Sequence, residues 1–185
     1  MIQFERIYVH QNISISPNPS FTVTRWFAEI MHKTPQSSRL IVLTGLFEGL
    51  ITIGRVAVIK HLKEHRSNRL ANNIVCGQTF YRISDVPRHS DILECTKAIR
   101  KKKRSVLVVP QESLSRAHQL LKIRNLQNKL PVFDFENILS ASLILEAVKR
   151  HQSIFGLWRA LIMEYNYHSA GTTRPLITLN WKPFK

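Results

Sequence analysis

Apolar positions in the first third of the chain predict a short hairpin followed by two helices. Apolar and polar residues alternate from residue 7 to residue 15 around Gln11-Asn12, the pattern of two short strands joined by a turn. Between residues 22 and 33 the apolar positions recur at spacings of three and four, which predicts an amphipathic helix ended by Thr34-Pro35. The next helix is apolar on nearly all sides until about His65, so we expect it to lie centrally in the core.

From residue 74 onward, strand patterns and helix patterns alternate. Two apolar runs flank Gly77-Gln78 and predict a second hairpin, "SVLVVP" predicts a strand buried on both faces, and "LPVFDF" and "PLITLNW" predict two further strands. Helical patterns separate these strands. The expected fold is α/β, with a mixed sheet in which a hairpin is followed by parallel crossover strands. Helices flank the sheet, and "SVLVVP" and "PVFDF" are expected to be parallel neighbours.

The length and the composition of the chain predict one domain over residues 1–185. No internal repeat or low-complexity linker divides it, and 44% of the residues are apolar, which is enough for a sizeable core. Within this domain we assign residues 1–66 to the N-terminal hairpin and helices, and residues 67–185 to an α/β core.

Cysteine usage and the apolar segments predict a cytoplasmic location. Cys76 and Cys95 fit neither a disulfide framework nor a zinc site of paired thiols. The N-terminus lacks the basic head and apolar run of a signal peptide. Charged side chains interrupt the longest apolar stretch, residues 40–62, and are costly in a bilayer, so we expect no membrane span.

The chain is strongly basic, and the excess lies in its middle. Its 27 Lys and Arg against 12 Asp and Glu give +15 at neutral pH, and residues 55–130 hold 17 basic and 5 acidic side chains, a net +12. Six cations fall between Lys97 and Arg104, more than a helix dipole requires, which favours phosphate contact over a merely solvated face. The predicted nucleic-acid-binding residues are Lys60, Lys63, Arg66, Arg69, Arg88, Lys97, Arg100, Lys101, Lys102, Lys103 and Arg104.

Few residues have catalytic potential. Glu48 is an acid inside an apolar helix, where it needs a partner such as Arg25, Arg55 or a backbone group, or else has a catalytic role. "HLKEH" at residues 61–65 has the order of some zinc peptidases, but a third ligand is required and a basic helix end explains it better. There is no Gly-x-Ser-x-Gly elbow and no glycine-rich phosphate loop. The tryptophans, Trp26, Trp158 and Trp181, fall on apolar faces, which predicts core packing rather than base stacking.

Two stretches resemble the C-terminal catalytic region of a group of type II restriction endonucleases with the PD-(D/E)xK core. They are "NRLANNIVCGQTFYRISDVPRHSDILECTKAIRKKKRSVLVVPQESLSRAHQLL" and "LPVFDFENILSASLILEAVKRHQSIFGLWRALIMEYN", and the resemblance covers about residues 68–181. The resemblance rests on a glycine-containing hairpin, a proline turn, a strand ending in Val-Pro and a helix opening with Phe-Glu-Asn-Ile. The resemblance implies the restriction-endonuclease-like fold. In that fold an acid on one hairpin strand and a Glu-x-Lys triplet on the next hold Mg²⁺ for phosphodiester hydrolysis.

The metal ligands of that family do not carry over onto this chain. The acid falls on Asn72 or Asn73 and the triplet on Tyr81-Arg82-Ile83, so neither position offers a carboxylate. Asparagine in place of aspartate is what a decayed or deliberately inactivated site contains. Alternatively, the acids are displaced, with Glu48 and Asp85 supplying oxygen ligands and Arg82 replacing the lysine. The candidate catalytic residues are therefore Glu48, Asn73, Arg82 and Asp85.

These observations favour three functions. The first is a DNA-binding protein on a restriction-endonuclease-like core, either a degraded nuclease or a subunit of a nuclease or defence assembly. The second is an active Mg²⁺-dependent endonuclease with displaced acids, and the third is a basic component of an RNA–protein assembly. The expected partner is nucleic acid, with duplex DNA preferred over RNA, and a homodimer or a larger nuclease complex is the expected assembly.

Overall fold

The computed structural model describes residues 12–15, 22–54, 73–170, 172 and 174–180. Its helices are α1 (Val23–Lys33), α2 (Gln36–Ile53), α3 (His89–Arg100), α4 (Leu114–Ile123), α5 (Phe135–Arg150) and α6 (Ile154–Ser169). Its strands are β1 (Asn12–Ile15), β2 (Asn73–Cys76), β3 (Thr79–Ile83), β4 (Arg104–Val109), β5 (Val132–Asp134) and β6 (Leu176–Leu179), and a 3₁₀ turn (Gln111–Ser113) precedes α4. These elements agree with the order predicted from residue 74 onward.

Four strands form a mixed sheet in the order β2-β3-β4-β5. β2 and β3 are antiparallel, and β3, β4 and β5 are parallel, which confirms the predicted pairing of "SVLVVP" with "PVFDF". Alternate residues of β4 face opposite sides of the sheet. Leu107 and Val109 pack against α3 and α4, whereas Val106 and Val108 belong to the larger core that contains α2 and α5. The sheet therefore lies between two helical layers.

The central helix of the larger core is α2, in which every residue from Val42 to Ile51 is buried. It packs against α6 so closely that a Cβ added at Gly45 would lie 2.6 Å from Cε2 of the buried Tyr165 ring. The absence of a side chain at Gly45 is what permits this approach. The predicted continuation of α2 to about His65 lies outside the described residues.

The predicted N-terminal hairpin is corrected in part. β1 pairs in parallel with β6, at the other end of the chain, and Ile13 is opposite Ile177. Ile13 and Ile15 are buried while Asn12 and Ser14 are exposed, so the apolar–polar alternation correctly predicted a strand at these residues. Its partner is not a local one, and residues 7–9 of the predicted hairpin lie outside the described residues.

The structure also bears on the predictions about the tryptophans, the cysteines and a membrane span. Trp26 and Trp158 are buried in the core, as predicted, and Trp181 lies outside the described residues. Both cysteines are free, and burial raises the pKa of the Cys95 thiol to about 11. Within the described part of the chain, no helix combines the length and the apolar character needed to cross a bilayer.

Candidate nucleic-acid interface

Strands β3, β4 and β5 begin at one edge of the sheet, which we call the amino edge. Thr79 pairs with Arg104, so β3 and β4 start level with each other, whereas Val132 pairs with Leu107, so β5 starts three residues further along β4. The Gly77-Gln78 turn lies at the same edge, because the Arg104 N–H donates a 2.9 Å hydrogen bond to the Gln78 carbonyl. Three connections therefore meet at the amino edge: the β2–β3 turn, the α3–β4 turn and the α4–β5 loop.

The α3–β4 turn brings a run of cations to the amino edge. After α3 ends at Arg100, the Lys103 N–H donates back to the Ala98 carbonyl at 3.1 Å. Lys102 adopts the left-handed conformation, with φ of 59°, which directs the chain into β4. Cations at this end of α3 also complement the helix dipole. The structure thus gathers six of the sequence-predicted residues, which are Lys97, Arg100, Lys101, Lys102, Lys103 and Arg104.

The α4–β5 loop adds three cations that the sequence analysis missed. Lys122, Arg124 and Lys129 are exposed at the end of α4 and in the loop that follows it. Because β4 and β5 are adjacent and parallel, this loop lies beside the α3–β4 turn. The parallel pairing of these two strands was predicted from the sequence, so combining it with the positions of basic residues would have found this second group.

Most of the charge at the amino edge is uncompensated. The end of α3, the turn after it and the first residue of β4 contribute six cations, and the end of α4 with the loop after it contributes three, nine in all. Lys97 makes a 2.8 Å ion pair with Glu94, and the other eight have no ion-pair partner among the residues that the structure describes. All are exposed except Lys103, which is half-buried. Mutually repelling cations at this density create a positive potential that a polyanion relieves.

The remaining predicted binding residues do not join this cluster. Arg88 directly precedes α3, and the helix of 12 residues, about 18 Å long, separates it from the amino edge. It lies instead at the opposite edge, where β3, β4 and β5 end, which we call the carboxyl edge. Lys60, Lys63, Arg66 and Arg69 lie outside the described residues, as do His61 and His65.

Two candidate catalytic residues, Asn73 and Arg82, lie together on the β2–β3 hairpin. They are direct cross-strand partners, and Arg82 Nη1 donates a 2.9 Å hydrogen bond to Asn73 Oδ1. The same guanidinium contacts Asp91 of α3 through Nε at 2.7 Å. The other oxygen of Asp91 accepts from the Ser84 hydroxyl at 3.0 Å and from the Arg88 N–H at 2.8 Å. Arg82 is therefore a structural cation that joins two strands to a helix.

Glu48 has a partner that the sequence analysis did not consider. Arg174, which precedes β6, donates to both carboxylate oxygens of Glu48, at 2.7 and 3.4 Å. The acid is only 8% exposed, so this bidentate pairing supplies the compensation that a buried carboxylate requires. Glu48 therefore has an ion-pair partner, as one of the two interpretations required, and the partner found is Arg174; Arg55 lies outside the described residues.

Asp85 follows β3 and lies at the carboxyl edge. Its backbone carbonyl accepts a 2.5 Å hydrogen bond from the Ser113 hydroxyl, and its side chain is buried near Arg39 and Glu112. Burial raises the pKa of Asp85, the nearby Arg39 guanidinium opposes that rise, and Glu112 adds to it. Oδ1 of Asp85 accepts no hydrogen bond from the described residues.

Two acids that the sequence analysis did not pair, Asp134 and Glu136, lie where β5 ends and α5 begins, at the same edge. Asp134 caps α5 by accepting the Glu136 N–H at 2.9 Å, and Glu136 Oε2 accepts the Gln111 N–H at 3.0 Å. Burial, with a hydrogen bond to Asp134, raises the pKa of Glu136 to about 7. Glu136 therefore joins α5 to the 3₁₀ turn after β4 and titrates near neutral pH.

The candidate catalytic residues do not fit a magnesium site. Glu48, Arg82 and Asp85 are engaged in three different clusters, and within the described ranges no three His, Cys, Asp or Glu side chains are placed to hold a metal ion. Asn73 offers an amide rather than a carboxylate, and that amide already binds the Arg82 guanidinium, a cation that would repel Mg²⁺. We derive no metal-dependent step from these residues.

The chain matches no protein-family model, and comparisons with curated proteins and with solved structures also find no match.

Proposed function

We propose that this protein binds nucleic acid, with duplex DNA as its preferred ligand, through the amino edge of its sheet. The observation that carries the proposal is the convergence of nine cations from two separate connections on one edge, with a single ion pair among them. Each surface lysine or arginine brought close to a phosphate releases a condensed counterion, which is the main source of sequence-independent affinity for DNA.

The composition of the amino edge favours a duplex over a single strand. Proteins that bind single strands stack unpaired bases on aromatic rings. The exposed aromatic rings of the described chain are Phe133, within β5, and Tyr167, on α6, and neither belongs to the three connections of this edge. A surface of flexible cations without a stacking platform suits a regular phosphate backbone.

We further propose that the amino edge belongs to a restriction-endonuclease-like core whose hairpin no longer cleaves DNA. Two observations support this proposal. The hairpin followed by parallel crossovers agrees with the expected order, and Asn73 and Arg82 are cross-strand partners where that family has its acid and triplet. Because both side chains are used in a structural cluster, we assign binding rather than hydrolysis to the chain, as a subunit of a larger DNA-processing assembly.

The test is a comparison of two variants with the same charge. In Arg100→Gln/Arg124→Gln two arginines are removed from the amino edge, and in Arg88→Gln/Arg116→Gln two are removed near the carboxyl edge. Affinity for a fluorescent duplex is measured between about 50 and 200 mM salt. The plot of log K against log salt has a negative slope. The first variant should make that slope shallower by about 1.8, whereas the second should leave it nearly unchanged. Equal effects would show that net charge alone drives binding.

Two further arms separate this proposal from the other functions. Structured RNA competing more strongly than duplex DNA at equal salt would favour an RNA-binding role. Nicking of supercoiled plasmid that requires Mg²⁺ and is lost in Asp85→Ala while duplex binding is kept would assign the chain as an active nuclease with displaced acids. We expect a plasmid that migrates more slowly in a native gel with the protein bound and that remains intact once the protein is removed.

A further inference from the structure

The α4–β5 loop is held rigidly by its own backbone. The Leu126 N–H donates to the Leu121 carbonyl at 3.0 Å, and the Lys129 and Leu130 N–H groups donate to the Leu126 carbonyl at 2.9 and 3.0 Å. The Leu126 side chain packs against the smaller core, and Asn125 takes the left-handed conformation, with φ of 53°. The turn that follows Leu126 is thereby fixed relative to the sheet.

This turn presents side-chain amides rather than charges. Gln127 and Asn128 are exposed between Arg124 and Lys129, and the exposed Gln78 lies on the β2–β3 turn of the same edge. Their side chains make no hydrogen bond to the part of the chain that the structure describes. An amide carries both a donor and an acceptor, so it can pair bidentately with the N6 and N7 atoms of adenine in the major groove. A lysine offers only donors and cannot read that pattern.

We infer that the two connections have different tasks, and that Gln127 and Asn128 of the α4–β5 loop determine sequence preference while the α3–β4 turn holds phosphates. This inference rests on the proposed binding of duplex DNA at the amino edge. Adjacent strands lie about 4.8 Å apart, and β5 is the direct neighbour of β4 in the sheet, so the α4–β5 loop and the α3–β4 turn lie side by side. A duplex that lies across both connections can therefore place its major groove, roughly 12 Å wide, against the α4–β5 loop and its phosphates against the α3–β4 turn.

The experiment begins with selection from a randomised duplex pool by the full chain. The enriched duplex and a scrambled duplex are then titrated with the wild type and with Gln127→Ala/Asn128→Ala. The wild type should prefer the enriched duplex, which should contain adenines at fixed positions, by about 5- to 150-fold. In the variant this preference should fall below about threefold, while affinity for the scrambled duplex changes less than about threefold.

Matched controls separate base reading from general binding. Gln119→Ala/Gln152→Ala removes two exposed glutamines from other parts of the surface and should keep the full preference. Arg100→Gln/Arg124→Gln should weaken binding to both duplexes by the same factor. A wild type that binds duplexes without enriching any sequence would overturn this inference and leave the proposed function intact. Preference retained by Gln127→Ala/Asn128→Ala would also overturn it, and a wild type that binds no duplex would overturn both proposals.

Discussion

Arg82 contacts Asn73 across the β2–β3 hairpin and Asp91 on α3 at the same time, at 2.9 and 2.7 Å. One guanidinium therefore fixes the position of the hairpin against the helix that leads to the amino edge. Asp91 is only 4% exposed, and each of its oxygens accepts hydrogen bonds. Asn73 and Arg82 thus contribute to the fold, and we expect their removal to lower the stability of the protein.

Replacing Arg82 should strongly destabilise the protein. Arg82→Met leaves the Asp91 carboxylate buried without its cation, which costs about 3–5 kcal/mol. In Arg82→Met/Asp91→Asn the orphan charge is also removed, so the double variant should be more stable than the single one. Equilibrium unfolding in urea measures both. A double variant as unstable as the single one, or less stable, would contradict the role of the buried charge.

Substitution of Gly45 should destabilise α2 although alanine is the better helix former. The new Cβ would meet two carbons of the Tyr165 ring at 2.6 and 2.8 Å, and that ring is anchored by a 2.7 Å hydrogen bond from its hydroxyl to the Pro175 carbonyl. We expect overpacking in Gly45→Ala to cost about 1–3 kcal/mol in urea unfolding. Gly156→Ala, at an exposed position of α6, is the control: its Cβ would meet the exposed Ser153 hydroxyl at 3.1 Å, which can shift more easily than the anchored ring, so its cost should be smaller. Similar effects at both glycines would argue against the close approach.

The order of the main elements was predictable because each element has a sequence pattern within its own residues. The β-branched run of β4 and the apolar periodicity of α3 and α4 lie within single elements, and parallel pairing follows from their alternation. The pairing of β1 with β6 had no such local sign. Its two strands lie at opposite ends of the chain, and nothing in their composition distinguishes one partner from another.

The candidate site was predicted only where its residues are neighbours in sequence, although the predicted pairing of β4 with β5 also implied the second group of cations. The six cations from Lys97 to Arg104 form one run, whereas Lys122, Arg124 and Lys129 reach the same edge through the parallel crossover. The Glu48 partner, Arg174, is 126 residues away in sequence. A charged pair of this kind depends on how α2 packs near the segment before β6, which residue spacing does not encode.

Glu136 should make stability depend on pH near neutrality. Its pKa rises from 4.5 to about 7 in the folded protein, so folding favours the protonated acid. Its contribution is therefore fully present below about pH 4.5 and is lost as the pH rises through about 7. Glu136→Gln imitates the protonated form and should be more stable than the wild type at about pH 8, by about 1 kcal/mol because solvent screens the half-buried group. Urea unfolding of both proteins from about pH 5 to pH 8 measures this difference, and a difference that stays constant with pH would contradict it.

Lys102 offers a way to separate binding from folding. Its φ of 59° suits glycine better than lysine, so Lys102→Gly should raise the free energy of unfolding by about 0.5–1 kcal/mol. The same change removes one cation from the amino edge. It should make the negative slope of log K against log salt for duplex binding shallower by about 0.9. The control is His151→Gly, whose native φ is 51°; it relieves the same backbone conformation without removing a charge from this edge. It should gain stability and keep the full salt slope. Weaker binding by a protein that is more stable assigns the loss to the missing charge, and an unchanged slope in Lys102→Gly would remove Lys102 from the interface.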